Sequence, residues 1–104
     1  EISHKFLNCI HTHSLDQKDV SFYANELCIS PRYLSTIARQ VTGESAKTII
    51  DRHIILETKV LLRTTEMTVQ EITNHLNFPS QSYLGRYFKK HTGESPIEYR
   101  MKRK

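Results

Sequence analysis

The chain has 104 residues and a mass of 12.2 kDa, and its 15 Lys and Arg residues exceed its 11 Asp and Glu residues, for a formal net charge of +4. This length suits one domain or two very small ones, and a hydrophobic content of 38% predicts a thin core. No apolar run reaches the ~18 residues of a membrane-spanning helix. The sequence also has no Gly-rich phosphate loop, no nucleophile elbow and no zinc-protease motif, so it predicts neither an enzyme nor a cofactor.

The two cysteines, Cys9 and Cys28, are too few for a disulfide framework, and we expect a reducing cytoplasm. Cys9 and His13 stand four residues apart and could share a metal ion, but two ligands do not complete a site, so we predict no metal. Cys28 lies in an apolar turn and is expected to be a small core residue. Because the first residue is Glu1 rather than Met, we expect a piece of a longer protein.

The first predicted helix covers residues 2–13. Its inward positions are Ile2, Phe6 and Ile10. A short second helix is predicted from Val20 to about Leu27, because Asp19 is a good N-cap and Val20, Tyr23, Ala24 and Leu27 share one face.

A third helix is predicted to begin after Ser30, which caps it, with Pro31 in the first helical position. Its inward positions are Leu34, Ile37, Ala38 and Val41. Gly43 is expected to end it in the left-handed conformation. Ser45 then caps a long helix over residues 46–63, which at ~1.5 Å per residue is roughly 27 Å long.

The second half of the chain repeats the first. With Ser30 aligned on Ser80, seven of the sixteen positions from 30 to 45 are identical. The identities are Ser30/Ser80, Tyr33/Tyr83, Leu34/Leu84, Thr42/Thr92, Gly43/Gly93, Glu44/Glu94 and Ser45/Ser95. Two copies of one helical unit therefore organise the chain.

The second copy predicts its own three helices. Thr68 and Glu71 form a capping box for the first, and Ser80 caps the second. The second helix carries Leu84, Tyr87 and Phe88 inward and ends at Gly93. Ser95 caps the last helix, with Pro96 in its first position. The fold class is therefore all-α, with about seven helices in two helix-turn-helix subdomains, residues 1–44 and 65–104, joined by a linker helix at 45–64.

Basic charge is concentrated at the end of the chain. Residues 1–50 hold five Lys and Arg and five Asp and Glu, whereas from Pro79 onward seven basic residues face two acidic ones. This asymmetry is typical of a solvated tail or of a surface that faces phosphates.

The second copy resembles the DNA-binding domain of the AraC/XylS family of bacterial transcription regulators. The residues that carry the resemblance are Val69-Gln70-Glu71-Ile72, Leu76-Asn77-Phe78, the run from Ser80 to Lys90, Thr92-Gly93, and Ser95-Pro96-Ile97-Glu98-Tyr99-Arg100. The likeness covers essentially the whole chain. It implies sequence-specific promoter binding, most often for transcription activation. It also implies a cytoplasmic protein associated with the nucleoid. It also implies two partners, RNA polymerase and an effector-binding or dimerisation domain of the same full-length protein.

Three positions depart from the family pattern. Asn77 stands where Gly is usual in the turn, and Asn tolerates the left-handed conformation. Cys28 holds the equivalent position in the first copy, so we expect that turn to differ locally. Ala38 replaces a bulky Phe, so we expect the first copy to have a thinner core and to contribute less to base recognition than the second copy.

A recognition helix places its outward N-terminal side chains in the major groove. The predicted recognition helices cover about residues 31–42 and 81–91. The base-reading positions that the resemblance implies are Arg32, Ser35, Thr36, Gln81, Ser82, Gly85 and Arg86. Arg suits guanine, Gln suits adenine, and Thr can offer its methyl group to thymine. Gly85 would let the helix approach the bases closely.

Other positions suit phosphates, which fix the register of a protein on DNA without reading sequence. The predicted phosphate positions are Arg39, Gln40, Thr68, Lys89, Lys90 and Ser95. Thr68 and Ser95 are included because helix N-termini offer free N–H groups to anions.

The sequence therefore predicts a double-stranded DNA-binding domain with recognition helices in successive major grooves. A linker helix shorter than the ~34 Å groove spacing predicts bent DNA or one loosely engaged unit. The alternative is a helical protein-interaction module without sequence-specific DNA binding, which the neutral first half leaves open. Steeply salt-dependent DNA affinity would distinguish the two.

Overall fold

Seven α-helices make up the described part of this computed structural model, residues 2–13 and 19–103, which contains no β-strand. The helices are α1 (Ile2–His13), α2 (Val20–Glu26), α3 (Pro31–Thr42), α4 (Ala46–Thr64), α5 (Val69–His75), α6 (Gln81–Thr92) and α7 (Pro96–Arg103). This arrangement confirms the all-α fold class. Among these residues no helix is both long enough and apolar enough to cross a bilayer.

The chain divides into two compact units, one within Glu1–Ile54 and the other within Ile55–Lys104. The division falls inside α4, so each unit includes part of that helix. The subdomain boundaries expected from the sequence treat the linker helix as a separate segment, and they stay a prediction.

The core of the first unit is apolar and small. Its buried side chains are Phe6, Ile10, Tyr23, Ala24, Leu34, Ala38, Ala46, Ile49, Ile50 and Ile54. The Phe6 and Tyr23 rings pack edge to face with their centroids 5.8 Å apart, a geometry that aromatic pairs prefer. The predicted inward positions Phe6, Ile10 and Leu34 are thereby confirmed.

Val41 is not part of this core, although the helical period predicted that it would be. Its side chain is 57% exposed. The equivalent position of the second unit holds His91, which is also exposed. The last turns of α3 and α6 therefore leave this position exposed in both units.

The second unit has a more aromatic core. Its buried side chains are Ile55, Leu62, Ile72, Leu76, Phe78, Leu84, Phe88 and Tyr99. Phe88 of α6 and Tyr99 of α7 form an edge-to-face pair with ring centroids 5.6 Å apart. This pair packs α7 against α6.

Arg100 joins α7 to the end of α4. Its Nε donates to the carbonyl of Leu62 at 2.9 Å, and Nη2 lies 3.5 Å and 3.4 Å from the carbonyls of Leu61 and Thr65. A helix leaves its last four carbonyls without helical partners, and a cation there also complements the helix dipole. Arg100 therefore caps α4 from another helix.

The helices α2 and α5 end in the same left-handed turn, which corrects the expectation of a local difference at Cys28, although the second connection is one residue longer, residues 76–80 against 27–30. Cys28 has φ 59° and Asn77 has φ 58°. In the first turn Ile29 N–H donates to Ala24 O at 3.0 Å and Cys28 N–H donates to Asn25 O at 3.1 Å. These are the two hydrogen bonds of a Schellman motif, whose left-handed residue follows the helix cap.

The second turn repeats both hydrogen bonds. Phe78 N–H donates to Thr73 O at 3.0 Å, and Asn77 N–H donates to Asn74 O at 3.2 Å.

The prediction that Cys28 of the first turn is a core residue is wrong, because its side chain is exposed. The left-handed residue of this turn points its side chain outward, while the apolar neighbours Leu27 and Ile29 are half-buried.

Candidate nucleic-acid interface

The two predicted recognition helices, α3 and α6, begin and end alike. Ser30 Oγ accepts from the N–H of Tyr33 at 3.0 Å, and Ser80 Oγ accepts from the N–H of Tyr83 at 3.0 Å. At the other end, the C-cap Gly43 has φ 82°, and Gly93 in α6 has φ 87°. Each helix therefore spans twelve residues between equivalent caps.

The threonine before each C-cap glycine forms hydrogen bonds that stabilise the C-terminal end of its helix. Thr42 Oγ1 donates to Ala38 O at 2.7 Å and accepts from Glu44 N–H at 3.1 Å. Thr92 makes the same two bonds in the second unit, at 2.8 Å and 3.3 Å. The repeated Thr-Gly-Glu-Ser run thus fixes where both helices end.

Most of the predicted DNA-facing side chains are exposed. The exposed ones are Arg32, Thr36, Arg39, Gln40, Thr68, Gln81, Ser82, Arg86, Lys89 and Lys90, whereas Ser95 is half-buried. Ser35 and Gly85 hold equivalent positions in the two helices, and both are half-buried. Each helix therefore presents a continuous polar face beside its buried leucine.

The two helices contribute no carboxylates to these faces, although Lys89 lies close enough to Glu98 of α7 to help lower the pKa of that carboxyl group. Neither α3 nor α6 contains Asp or Glu. Ion pairs between described residues lie elsewhere, at Lys47–Asp51, Glu44–Arg52 and Lys102–Glu94. Among the described residues, the cations of α3 and α6 therefore form no ion pair within hydrogen-bonding distance.

Two positions show finer geometry. A Cβ at Gly85 would meet no atom within 4 Å, so packing within the chain does not require glycine there. Thr36 Oγ1 donates to Arg32 O at 3.0 Å, which occupies its hydroxyl proton. Thr36 therefore offers a methyl group and acceptor lone pairs outward.

Thr68 and Ser95 have carboxylates at the positions where phosphates were predicted. Thr68 N–H donates to Glu71 Oε1 at 2.8 Å, and Ser95 N–H donates to Glu98 Oε1 at 2.7 Å. The reciprocal bonds, Glu71 N–H to Thr68 Oγ1 and Glu98 N–H to Ser95 Oγ, complete two capping boxes. Hydrogen bonds from Ser95 lower the pKa of Glu98, so this carboxylate stays charged. The geometry gives both residues a capping role, and phosphate contact there stays a prediction.

Sequence reasoning missed Tyr33 and Tyr83. Their side chains are 51% and 45% exposed in the first turns of α3 and α6, and the Tyr83 ring also lies 6.0 Å from the ring of the buried Phe78. Three residues further along each helix lie Thr36 and Arg86, so each ring borders the polar face. Their identity at equivalent positions of the repeat was the available signal. A tyrosine hydroxyl is a common donor to DNA phosphates.

The described residues contain no group of three or more metal-ligating side chains. The side chain of His13, the second half of the pair considered with Cys9, lies outside the described residues.

The chain matches a family model described as a helix-turn-helix domain over residues 23–102. It is 38% identical over 82 residues to the arabinose operon regulatory proteins of Salmonella typhimurium and Escherichia coli, matching 79% of this chain but only 29% and 28% of theirs. The chain therefore spans less than a third of the length of these relatives.

Two solved structures share the fold. The C-terminal domain of the two-component response regulator yesN from Fusobacterium nucleatum has a TM-score of 0.86 and 27% identity, covering 94% of this chain and 96% of that one. The DNA-binding domain of AdpA, solved with a target DNA, has a TM-score of 0.82 and 25% identity, covering 97% and 90%. The chain belongs to the AraC/XylS-type helix-turn-helix family, whose members are transcription regulators with DNA-binding domains and not enzymes.

Proposed function

We propose that this chain binds double-stranded promoter DNA sequence-specifically, with α3 and α6 each reading a major-groove segment. The observation that carries the proposal is the pair of equivalently capped helices with exposed, carboxylate-free polar faces. The structural similarity to the AdpA domain supports it, because that domain was solved with a target DNA.

Base reading is assigned to the first half of each helix. The proposed base-reading residues are Arg32, Ser35, Thr36, Gln81, Ser82, Gly85 and Arg86. Arg86 is the sharpest assignment, because its guanidinium is exposed, forms no ion pair with another described residue, and can bind guanine O6 and N7 together. The open space at Gly85 favours close approach of α6 to the base edges.

Phosphate binding is assigned to side chains further along. These are Arg39, Gln40, Lys89 and Lys90, with Tyr33 and Tyr83 added at the edges of the faces. Their contacts would set orientation and a salt-dependent part of the affinity.

Promoter DNA as the ligand would place the protein at the nucleoid. RNA polymerase and an effector-binding or dimerisation domain of the same protein are proposed as its further partners, from the family resemblance.

The test is selection of binding sequences from a random duplex pool, with affinities then measured at two salt concentrations. An enriched site with two major-groove segments about 10 base pairs apart supports two reading helices. Enrichment of one segment assigns reading to α6 alone. Weak, salt-insensitive binding without enrichment contradicts the proposal and favours the protein-interaction module.

Variants separate the two kinds of contact. Arg86→Ala should cost about 1–3 kcal/mol on the selected site and relax preference at one base pair. Lys89→Ala should weaken all sequences alike and reduce the salt slope by about one. Arg63→Ala, an exposed arginine outside both recognition helices, is the control and should change little.

A further inference from the structure

The first unit contains an apolar cavity of about 170 Å³ between α1, α3 and α4. Phe6, Ala38 and Ile49 line it, and Leu7 and Val41, 45% and 57% exposed, lie at its mouth. His4 also borders the opening and supplies a polar group there.

The internal repeat shows what is missing from this place. Fifty residues further along, Phe88 and Tyr99 stand at the positions of Ala38 and Ile49. Their rings pack edge to face at 5.6 Å, with Phe88 fully buried. The first unit therefore keeps the helical frame but carries no aromatic ring at either position.

We propose that this cavity is a binding site for a free small molecule with one aromatic ring. The cavity is about half open to solvent, and its volume of about 170 Å³ is enough for one ring, since an enclosed apolar cavity of roughly 150 Å³ holds benzene. The walls suit it as well, because they are the aliphatic and aromatic side chains that surround rings in protein cores. A polar substituent on the ring would lie toward His4 at the mouth.

The site is separate from the proposed DNA-binding face. Ala38 and Ile49 are 3% and 9% exposed and belong to the packed side of the unit, whereas Arg32 and Thr36 lie on the outward side of α3. Ligand binding is therefore measurable without DNA, and its failure would leave the DNA-binding proposal untouched.

The test is a titration of the protein with phenol, followed by NMR of its methyl groups. A bound ring shifts nearby methyl resonances, so saturable shifts are expected at Ala38, Val41 and Ile49, with a dissociation constant of about 1 mM or tighter. Leu84 and Ile72, in the core of the second unit, are internal controls and should not shift. Shifts that do not saturate, or that spread over both units, overturn the proposal.

Two variants fill the cavity from within. Ala38→Phe restores the ring found in the second unit, and Ala38→Leu is a smaller filling that tests the same point if the larger side chain prevents folding. Either folded variant should lose the saturable shifts, whereas Leu56→Ala, an exposed apolar residue outside the cavity, should keep them. Persistent saturable binding in a folded, filled variant places the ligand elsewhere and refutes the assignment.

Discussion

Replacing Cys28 with glycine should stabilise the protein. Cys28 has φ 59°, a left-handed conformation that costs an ordinary L-residue roughly 1–2 kcal/mol. Its side chain is exposed, so removing it costs no core packing. Glycine offsets part of the gain, because it loses roughly 0.5–1 kcal/mol more backbone entropy on folding.

The expected net gain from Cys28→Gly is therefore about 0.5–1 kcal/mol, or an increase in Tm of about 2–8 °C. Thermal and urea unfolding followed by circular dichroism at 222 nm would measure it. Amide exchange of Ile29, whose N–H donates to Ala24 O across the turn, would show that the gain is local.

Two further variants test the reasoning. Cys28→Ala removes the thiol but keeps a Cβ at positive φ, so its stability should stay within about 0.5 kcal/mol of the parent. Asn77→Gly should gain less than Cys28→Gly, because asparagine tolerates this conformation. If the alanine variant gained as much as the glycine variant, the backbone explanation would be wrong.

Three other outcomes are expected. Arg100→Met should lower the free energy of unfolding by about 1.5–3 kcal/mol in urea titrations, because it removes the charged donor to Leu62 O. The control Arg63→Met, at an exposed arginine, should lower it by under about 0.5 kcal/mol, and equal losses in the two variants would contradict the capping role. Because folding lowers the pKa of Glu98, its charged form should stabilise the fold above the unfolded pKa, and this stabilisation should be lost as the pH falls through the folded pKa. Glu98→Gln can keep the hydrogen bond without the charge, so it should flatten this part of the curve of Tm against pH. Tyr83→Phe should weaken DNA binding about fivefold on all sequences in fluorescence-anisotropy titrations, and a loss confined to one base pair would assign the hydroxyl to base reading instead.

Much of the candidate interface could be predicted because it depends on positions along a helix. Subtracting the buried side of α3 and α6 left a set of outward residues, and Arg32, Arg86 and Lys89 are exposed as expected. The period could not show that Tyr83 borders the same face, since an aromatic residue is compatible with either packing or exposure. The spacing of Thr68 and Glu71 predicts the capping box that the structure confirms, whereas the box formed by Ser95 and Glu98 at the same spacing was missed.

The sequence by itself determined where the helices begin and end. Ser30, Ser80 and Thr68 cap helices through bonds to residues three positions away, and Gly43 and Gly93 stop them with a bond to a carbonyl four positions back. Because these interactions span less than two turns, local residue order is enough to specify them. The repeat followed from the same local pattern, since both copies carry the same caps.

Tertiary structure alone decided which apolar residues are covered and what lies between the helices. Val41 has the right period for the core, yet its side chain is 57% exposed. Arg100 finds its carbonyl partners 35 to 39 residues away, in the last turn of α4 and at Thr65 just after it. The cavity beside Ala38 depends on α1, α3 and α4 together. Such features arise from contacts between distant segments, and their energies depend on how well the surfaces fit, which residue order does not reveal.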